Sequence, residues 1–126
     1  MNEQLKTTSN SKIWDPPETL RELEAAGYAS LIPELVDEFI SDTRARLVRM
    51  REAVAVSDAV LFKREAHSIK GSAFQMGGDQ VAALAKALEI EGASMPTATV
   101  RDNISRLEGE VEELCREMVE YTALRR

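Results

Sequence analysis

Residues 66–78 read AHSIKGSAFQMGG and contain the only histidine of the chain, His67. The apolar residues of this stretch recur at helical spacing, and the pair Gly77-Gly78 is typical of a helix end. Gly71 lies inside the predicted helix, four positions after the histidine. A glycine in a helix interior costs about 0.5–1 kcal/mol relative to alanine. We therefore expect Gly71 to serve another purpose, either access of a second protein to His67 or close packing of a neighbouring helix.

The stretch is part of a longer stripe of apolar residues at spacings of three and four, as expected for one face of an amphipathic helix. Its members are Ala59, Phe62, Ala66, Ile69, Ala73 and Met76. Similar stripes predict a long helix before it, from Tyr28 to about Val56, and two helices after it, starting at Asp79 and Pro96. The stripe of the long helix comprises Ile32, Leu35, Val36, Phe39, Thr43, Leu47, Met50 and Val54. Ser57 and Asp58 are candidate caps of the helix that carries the histidine.

A short helix is predicted ahead of these four. Asp15 is its candidate N-cap, Pro16 its first helical residue and Gly27 its end. Because short connections favour antiparallel neighbours, the expected fold is all-α: an up-down antiparallel four-helix bundle with a short additional N-terminal helix. Residues 1–12 are polar and rich in Ser, Thr and Asn, which predicts a flexible tail before one helical domain at residues 13–126.

The composition limits the classes of function. A chain of 126 residues suits one domain with a single core. The net charge of −6 argues against nucleic acid as the main partner, and no apolar run approaches the ~20 residues that a membrane span needs. The N-terminal residues lack the apolar region of a secretory signal, and the single cysteine, Cys115, rules out an intramolecular disulfide, so we expect a cytoplasmic protein. With one histidine, one cysteine and no evident nucleophile–base pair, an enzyme with its own turnover is not expected.

The position of His67 on its helix follows from the rotation of about 100° per residue. The centre of the apolar stripe lies roughly 120° away, so the imidazole is expected outside the buried face. Lys63 and Lys70 fall within about 60° of His67 on one side, and Arg64 falls within about 60° on the other. These cations could simply form a solvated helix face. If the ring takes a phosphoryl group, however, the same cations can stabilise the new negative charge.

The spacing of His67, Lys70, Gly71 and Gly77 closely resembles the motif of histidine-containing phosphotransfer (HPt) domains, H-x-x-K-G-x-x-x-x-x-G. In that family the motif lies on the second helix of a four-helix bundle. The resemblance extends from about Asp15 to Leu124. It includes the short leading helix, the sequence ELVDEF at 34–39 and the pair Leu88-Glu89 near the end of the next helix.

The resemblance implies a phosphorelay intermediate. His67 would accept a phosphoryl group from the aspartyl phosphate of a receiver domain and pass it to another receiver aspartate. Lys70 would steady the phosphoryl group, Gly71 would give the receiver access, and Gly77 would close the helix. The implied partners are response-regulator receiver domains and a hybrid histidine kinase. No cofactor, metal site or autokinase activity of its own is expected, since Mg²⁺ belongs to the receiver, and the family is mostly monomeric.

Several features leave alternatives open. Lys63, Arg64, Phe74 and Gln75 are candidate partner-binding residues. Phe74 is bulkier than expected near a docking site, and it would either contact the receiver or shield one side of the ring. A run of arginines in the long helix would either meet the acidic pocket of a receiver or form a solvated face: Arg44, Arg46, Arg49 and Arg51. The glutamates between positions 108 and 120 are expected on a solubilising outer face.

A competing interpretation of the whole chain is a non-transferring interaction module. Such a bundle would bind a receiver or a histidine kinase and regulate it by occupancy, with His67 dispensable. The intact set of His67, Lys70 and Gly71 argues against this interpretation. An unrelated structural bundle would require the motif to be a coincidence.

Overall fold

The computed structural model describes residues 14–126, and these residues form α-helices and one 3₁₀ turn without any strand. The helices are α1 (Glu18–Ala25), α2 (Leu31–Ala55), α3 (Ala59–Gln75), α4 (Asp79–Glu91) and α5 (Thr97–Ala123), with the 3₁₀ turn (Gly92–Ser94) after α4. The predicted all-α class is therefore confirmed for this part of the chain. The predicted flexible tail, residues 1–12, lies outside the described residues. No helix in the described part is long and apolar enough to cross a membrane.

The four longer helices pack in chain order. α2 packs against α3, α3 against α4 and α4 against α5, and α5 also packs against α2, while α1 packs against α2. Each of the four contributes side chains to one core, and burial of their apolar surface is the main force that holds the helices together. Among the most deeply buried side chains are Ile32, Val36 and Met50 of α2, Ile69 of α3, Leu88 of α4, and Ile104, Leu107, Leu114 and Met118 of α5.

Both ends of α3 follow from the local sequence. At its start the carboxylate of Asp58 accepts a hydrogen bond from the backbone N–H of Leu61 at 3.0 Å, which confirms Asp58 as the N-cap. At its end Gly77 has a φ of 79°, in the left-handed region that favours glycine. The N–H of Gly78 then donates to the carbonyl of Ala73 at 2.7 Å, as in a Schellman motif. The predicted helix end at Gly77 is confirmed.

Other local predictions are wrong. Asp15 does not cap α1, because the extended backbone of Pro17 places the helix start two residues later; Asp15 instead forms an ion pair with Arg21. Ser57 does not cap α3. It has a φ of 58° and closes α2, where the following N–H donates to the carbonyl of Ala53 at 2.8 Å. Leu35, predicted in the buried stripe of α2, is exposed.

Candidate functional site

His67 lies at the middle of α3, with its side chain 65% exposed. Its neighbours Ala66 and Ile69 are fully buried, and these inward-facing residues fix the rotation of the helix about its axis. The ring therefore points away from the core, and the prediction that His67 lies outside the buried face is confirmed.

A carboxylate from the neighbouring helix holds the ring. Oε2 of Glu89, on α4, lies 2.7 Å from Nδ1 of His67, and Oε1 of the same side chain forms an ion pair with Nζ of Lys70 at 2.8 Å. Glu89 is only 13% exposed, so its charge is little screened by solvent. The ammonium group of Lys70 lowers the pKa of the Glu89 carboxyl; burial opposes this, and the bond to His67 adds to the lowering. Glu89 is consequently an anion at neutral pH.

The charge of Glu89 determines how the imidazole is protonated. An ionised carboxylate can only accept hydrogen bonds, so Nδ1 of His67 must carry the proton that it donates to Glu89. In the neutral ring, Nε2 then holds the free lone pair. No hydrogen bond from any described residue reaches Nε2. The contact with Glu89 therefore fixes the ring orientation and leaves a nucleophilic nitrogen available to another molecule.

Glu89 is the member of the site that the sequence analysis did not assign. The sequence indicated Glu89 only through the pair Leu88-Glu89, which forms part of the resemblance to the HPt family. Leu88 is buried, so the charged residue beside it comes to lie at the edge of the interface between α4 and α3. The contact also changes the expected role of Lys70, whose ammonium group is already paired within the molecule.

Gly71 follows His67 by one helical turn and has an open environment. A Cβ atom built at this position would meet no neighbouring atom of residues 14–126 within 4 Å. Its backbone is helical, and Gly27 and Gly77 are the glycines with positive φ in the described chain. Neither backbone conformation nor close helix packing therefore requires a glycine at position 71. This geometry argues against the packing explanation, and access of a second protein to His67 stays a prediction.

The other predicted site residues lie at the surface of α3. Lys63 and Arg64 are exposed, and neither forms an ion pair with another described residue. Phe74 is 72% exposed. Gln75, the last residue of α3, is also exposed, and its side chain makes no hydrogen bond within residues 14–126. The helix thus places these residues on the accessible surface around His67 without tying them to the bundle.

The arginines of α2 form ion pairs with the bundle itself. Arg46 and Arg49 both pair with Glu65, which is 5% exposed and lies about 160° around α3 from His67. Arg46 also pairs with Asp42 of its own helix at 2.9 Å. Arg44 pairs with Glu112 and Arg51 with Glu108, both at 2.8 Å. These contacts join α2 to α3 and α5, which favours a structural role for the arginines over receiver docking. They also show that Glu108 and Glu112 are more than solubilising charges.

The remaining reactive groups lie away from His67. Cys115 is buried, and burial raises the pKa of its thiol to about 11, so this cysteine is a neutral core residue. No group of three His, Cys, Asp or Glu side chains in the described chain is arranged to hold a metal ion. The candidate site within residues 14–126 is therefore the cluster of His67, Lys70 and Glu89, which are joined by ion pairs.

Comparison with known proteins gives one match. A family model described as Hpt domain matches residues 34–120, a span that includes all of α3 and α4. No curated protein and no solved structure matches the chain.

Proposed function

Because the chain belongs to the Hpt domain family, we propose that it is a phosphorelay intermediate whose carrier residue is His67. Membership in this family implies histidine phosphotransfer in two-component phosphorelays. In the proposed reaction, His67 accepts a phosphoryl group from the aspartyl phosphate of one receiver domain and passes it to the aspartate of another. The observation that carries the proposal is the exposed ring of His67, whose Nδ1 is held by Glu89 while Nε2 faces no partner in the described chain.

The transfer exchanges one bond to phosphorus for another. The lone pair of Nε2 attacks the phosphorus atom, the Nε2–P bond forms, and the P–O bond to the donor aspartate breaks with its electrons leaving on the carboxylate. Nδ1 keeps its proton, and the Glu89 carboxylate, 2.7 Å away, stabilises the positive charge that the ring acquires. In the second step the acceptor carboxylate attacks phosphorus and the neutral ring of His67 leaves.

Lys70 and Gly71 support this reaction in different ways. Lys70 lies one turn from His67, and its ion pair with Glu89 at 2.8 Å helps to keep that carboxylate ionised. Its ammonium group also brings positive charge close to the oxygens of a phosphoryl group on the ring. Gly71 leaves free space beside the ring, where another side chain would meet the incoming receiver.

The proposal also covers the arrangement and the partners of the domain. The contacts of α2 with α3, α3 with α4, α4 with α5 and α5 with α2 support an up-down antiparallel four-helix bundle. Family membership supports a carrier that interacts with receiver domains and kinases and has no autokinase activity. Mg²⁺ would be supplied by the receiver, where it helps to organise phosphoryl transfer. The monomeric state and the cytoplasmic location stay predictions.

The proposal is tested by incubating the purified protein with a phosphorylated receiver domain. Wild-type protein should acquire an acid-labile phosphate, and His67→Gln should acquire none. The helical circular dichroism of the variant should be unchanged, because the side chain is 65% exposed. Labelling of His67→Gln at the wild-type level would refute the proposal. If neither protein is labelled and both bind the receiver with equal affinity, the chain is instead a non-transferring interaction module.

A further inference from the structure

Two exposed apolar side chains lie on the same line of α3 as His67. Val60 precedes the histidine by seven residues and Phe74 follows it by seven, and both are 72% exposed. Seven residues of an α-helix turn through nearly two full rotations, so Val60 and Phe74 each lie within about 20° of His67 around the helix axis. The same spacing corresponds to about 10 Å along the helix axis on each side of His67.

The two apolar side chains differ in their surroundings. Val60 lines a groove bounded by the end of α2, by α3 and α4, and by the start of α5. Its cavity volume is about 400 Å³, and its apolar lining residues include Phe62, Ile90 and Met95. Phe74 is not part of this groove and projects into solvent from the last turn of α3. The surface around His67 therefore has a recess at one end and a protruding aromatic ring at the other.

The charge of this surface fits an acidic partner. Lys63 and Arg64 on α3 and Lys86 on α4 form no ion pair with other described residues, although the chain has a net charge of −6. A receiver presents an acidic phosphorylation pocket, which these free cations attract. The surface that includes Phe74 is continuous with the surface that carries the phosphoryl acceptor.

The size of an ordinary interface determines whether the partner reaches Phe74. A specific complex buries about 800 Å² on each partner, which corresponds to a disc of about 16 Å radius. A disc of this size centred on His67 includes positions about 10 Å away along α3. A receiver whose interface is centred on His67 therefore covers Phe74.

We propose that Phe74 is a specificity-determining residue for docking, a proposal that rests on the phosphotransfer function assigned above. Phe74 favours receivers that have an apolar recess beside the phosphorylation pocket, because an aromatic ring buried in a recess contributes strongly to binding. It disfavours receivers with a flat or charged surface at that point, where the ring would clash or desolvate a charge. The site thereby selects among receivers that share the same acidic pocket.

The test compares Phe74→Ala with a matched control, Tyr28→Ala, which removes another exposed aromatic ring from the segment between α1 and α2. Receiver domains from the same organism, each phosphorylated with acetyl phosphate, serve as donors, and kcat/KM for transfer to His67 is measured for each receiver. With the preferred receiver, Phe74→Ala should lower kcat/KM about tenfold or more, as expected for loss of a buried aromatic contact. The spread of kcat/KM across the receivers should narrow, and Tyr28→Ala should retain the wild-type profile.

Three results would overturn the proposal. They are an unchanged profile for Phe74→Ala, a uniform decrease that preserves the ranking and the spread of the receivers, and an equal effect of Tyr28→Ala. Direct phosphorylation by phosphoramidate, a small donor that needs no docking surface, should be equal in wild type and Phe74→Ala. If phosphoramidate labels the wild type but no receiver does, the phosphorelay function fails, and the role of Phe74 fails with it.

Discussion

The role of Gly71 can be tested by adding one methyl group at this position, in the variant Gly71→Ala. The same substitution at Gly109 provides the control. Gly71 in α3 and Gly109 in α5 both lie inside helices, and a Cβ atom at either position would meet no neighbouring atom of the described residues within 4 Å. Each alanine substitution should therefore stabilise its helix by about 0.5–1 kcal/mol, since no contact opposes the gain in helix propensity. For a domain of this size, the melting temperature should rise by about 2–4 °C.

The two variants should differ in phosphotransfer. If Gly71 gives a receiver access to His67, the methyl group of Gly71→Ala displaces the incoming phosphoryl group. Displacement of reacting groups by 1 Å can cost about 100-fold, so we expect transfer to slow by about tenfold or more. Gly109→Ala lies on another helix and should transfer at the wild-type rate. Gly71→Ala is therefore expected to be more stable and less active, whereas Gly109→Ala is expected to be more stable and equally active.

Thermal unfolding followed by circular dichroism, together with single-turnover transfer from a phosphorylated receiver, measures both effects. Wild-type transfer by Gly71→Ala would refute the access argument. A lower melting temperature for Gly71→Ala than for wild type would refute the conclusion that the space around position 71 is open. Slower transfer by Gly109→Ala would show that the loss of activity does not depend on the position of the methyl group.

Two further predictions concern stability. Because the pKa of Glu89 is lowered in the folded protein, its ionised form contributes stability that is present above the ordinary pKa of a glutamate and lost as the pH falls through the lowered value. Glu89→Gln should therefore be less stable than wild type in urea unfolding at pH 7. The difference in the free energy of unfolding should shrink as the pH is lowered below the ordinary pKa of a glutamate. A difference that does not depend on pH would contradict the ion pair with Lys70. Ser57 has a φ of 58° at the end of α2, so Ser57→Gly should stabilise the fold by about 0.5–1 kcal/mol in urea unfolding, and a loss of stability would contradict a strained serine.

Features that depend on a single helix could be predicted from the sequence. The apolar stripe that contains Ala66 and Ile69 predicted the rotation of α3, and with it the exposure of His67. The positions of Lys70 and Gly71, one turn further along, follow from the same helix. Glycine at position 77 marked the helix end because its backbone conformation is one that few other residues adopt.

The features that the sequence did not reveal depend on contacts between segments. Glu89 reaches His67 only because α4 packs against α3, and no periodicity within either helix encodes that distance. The pairing of Arg46 with the buried Glu65 likewise appears only when α2 and α3 are side by side. The two N-cap predictions that were wrong have a local cause. Asp15 and Ser57 are residue types that commonly cap helices, but the neighbouring backbone places each of them just before the helix start.

The most direct test of the account identifies the phosphorylated atom. The chain has a single histidine, so isotope-labelled histidine gives imidazole nitrogen resonances from one ring only. After transfer from a phosphorylated receiver, the account predicts coupling to phosphorus at Nε2 of His67, with Nδ1 still protonated and bonded to Glu89. A phosphoryl group on Nδ1, or a phosphorylated protein whose imidazole resonances are unchanged, would contradict it.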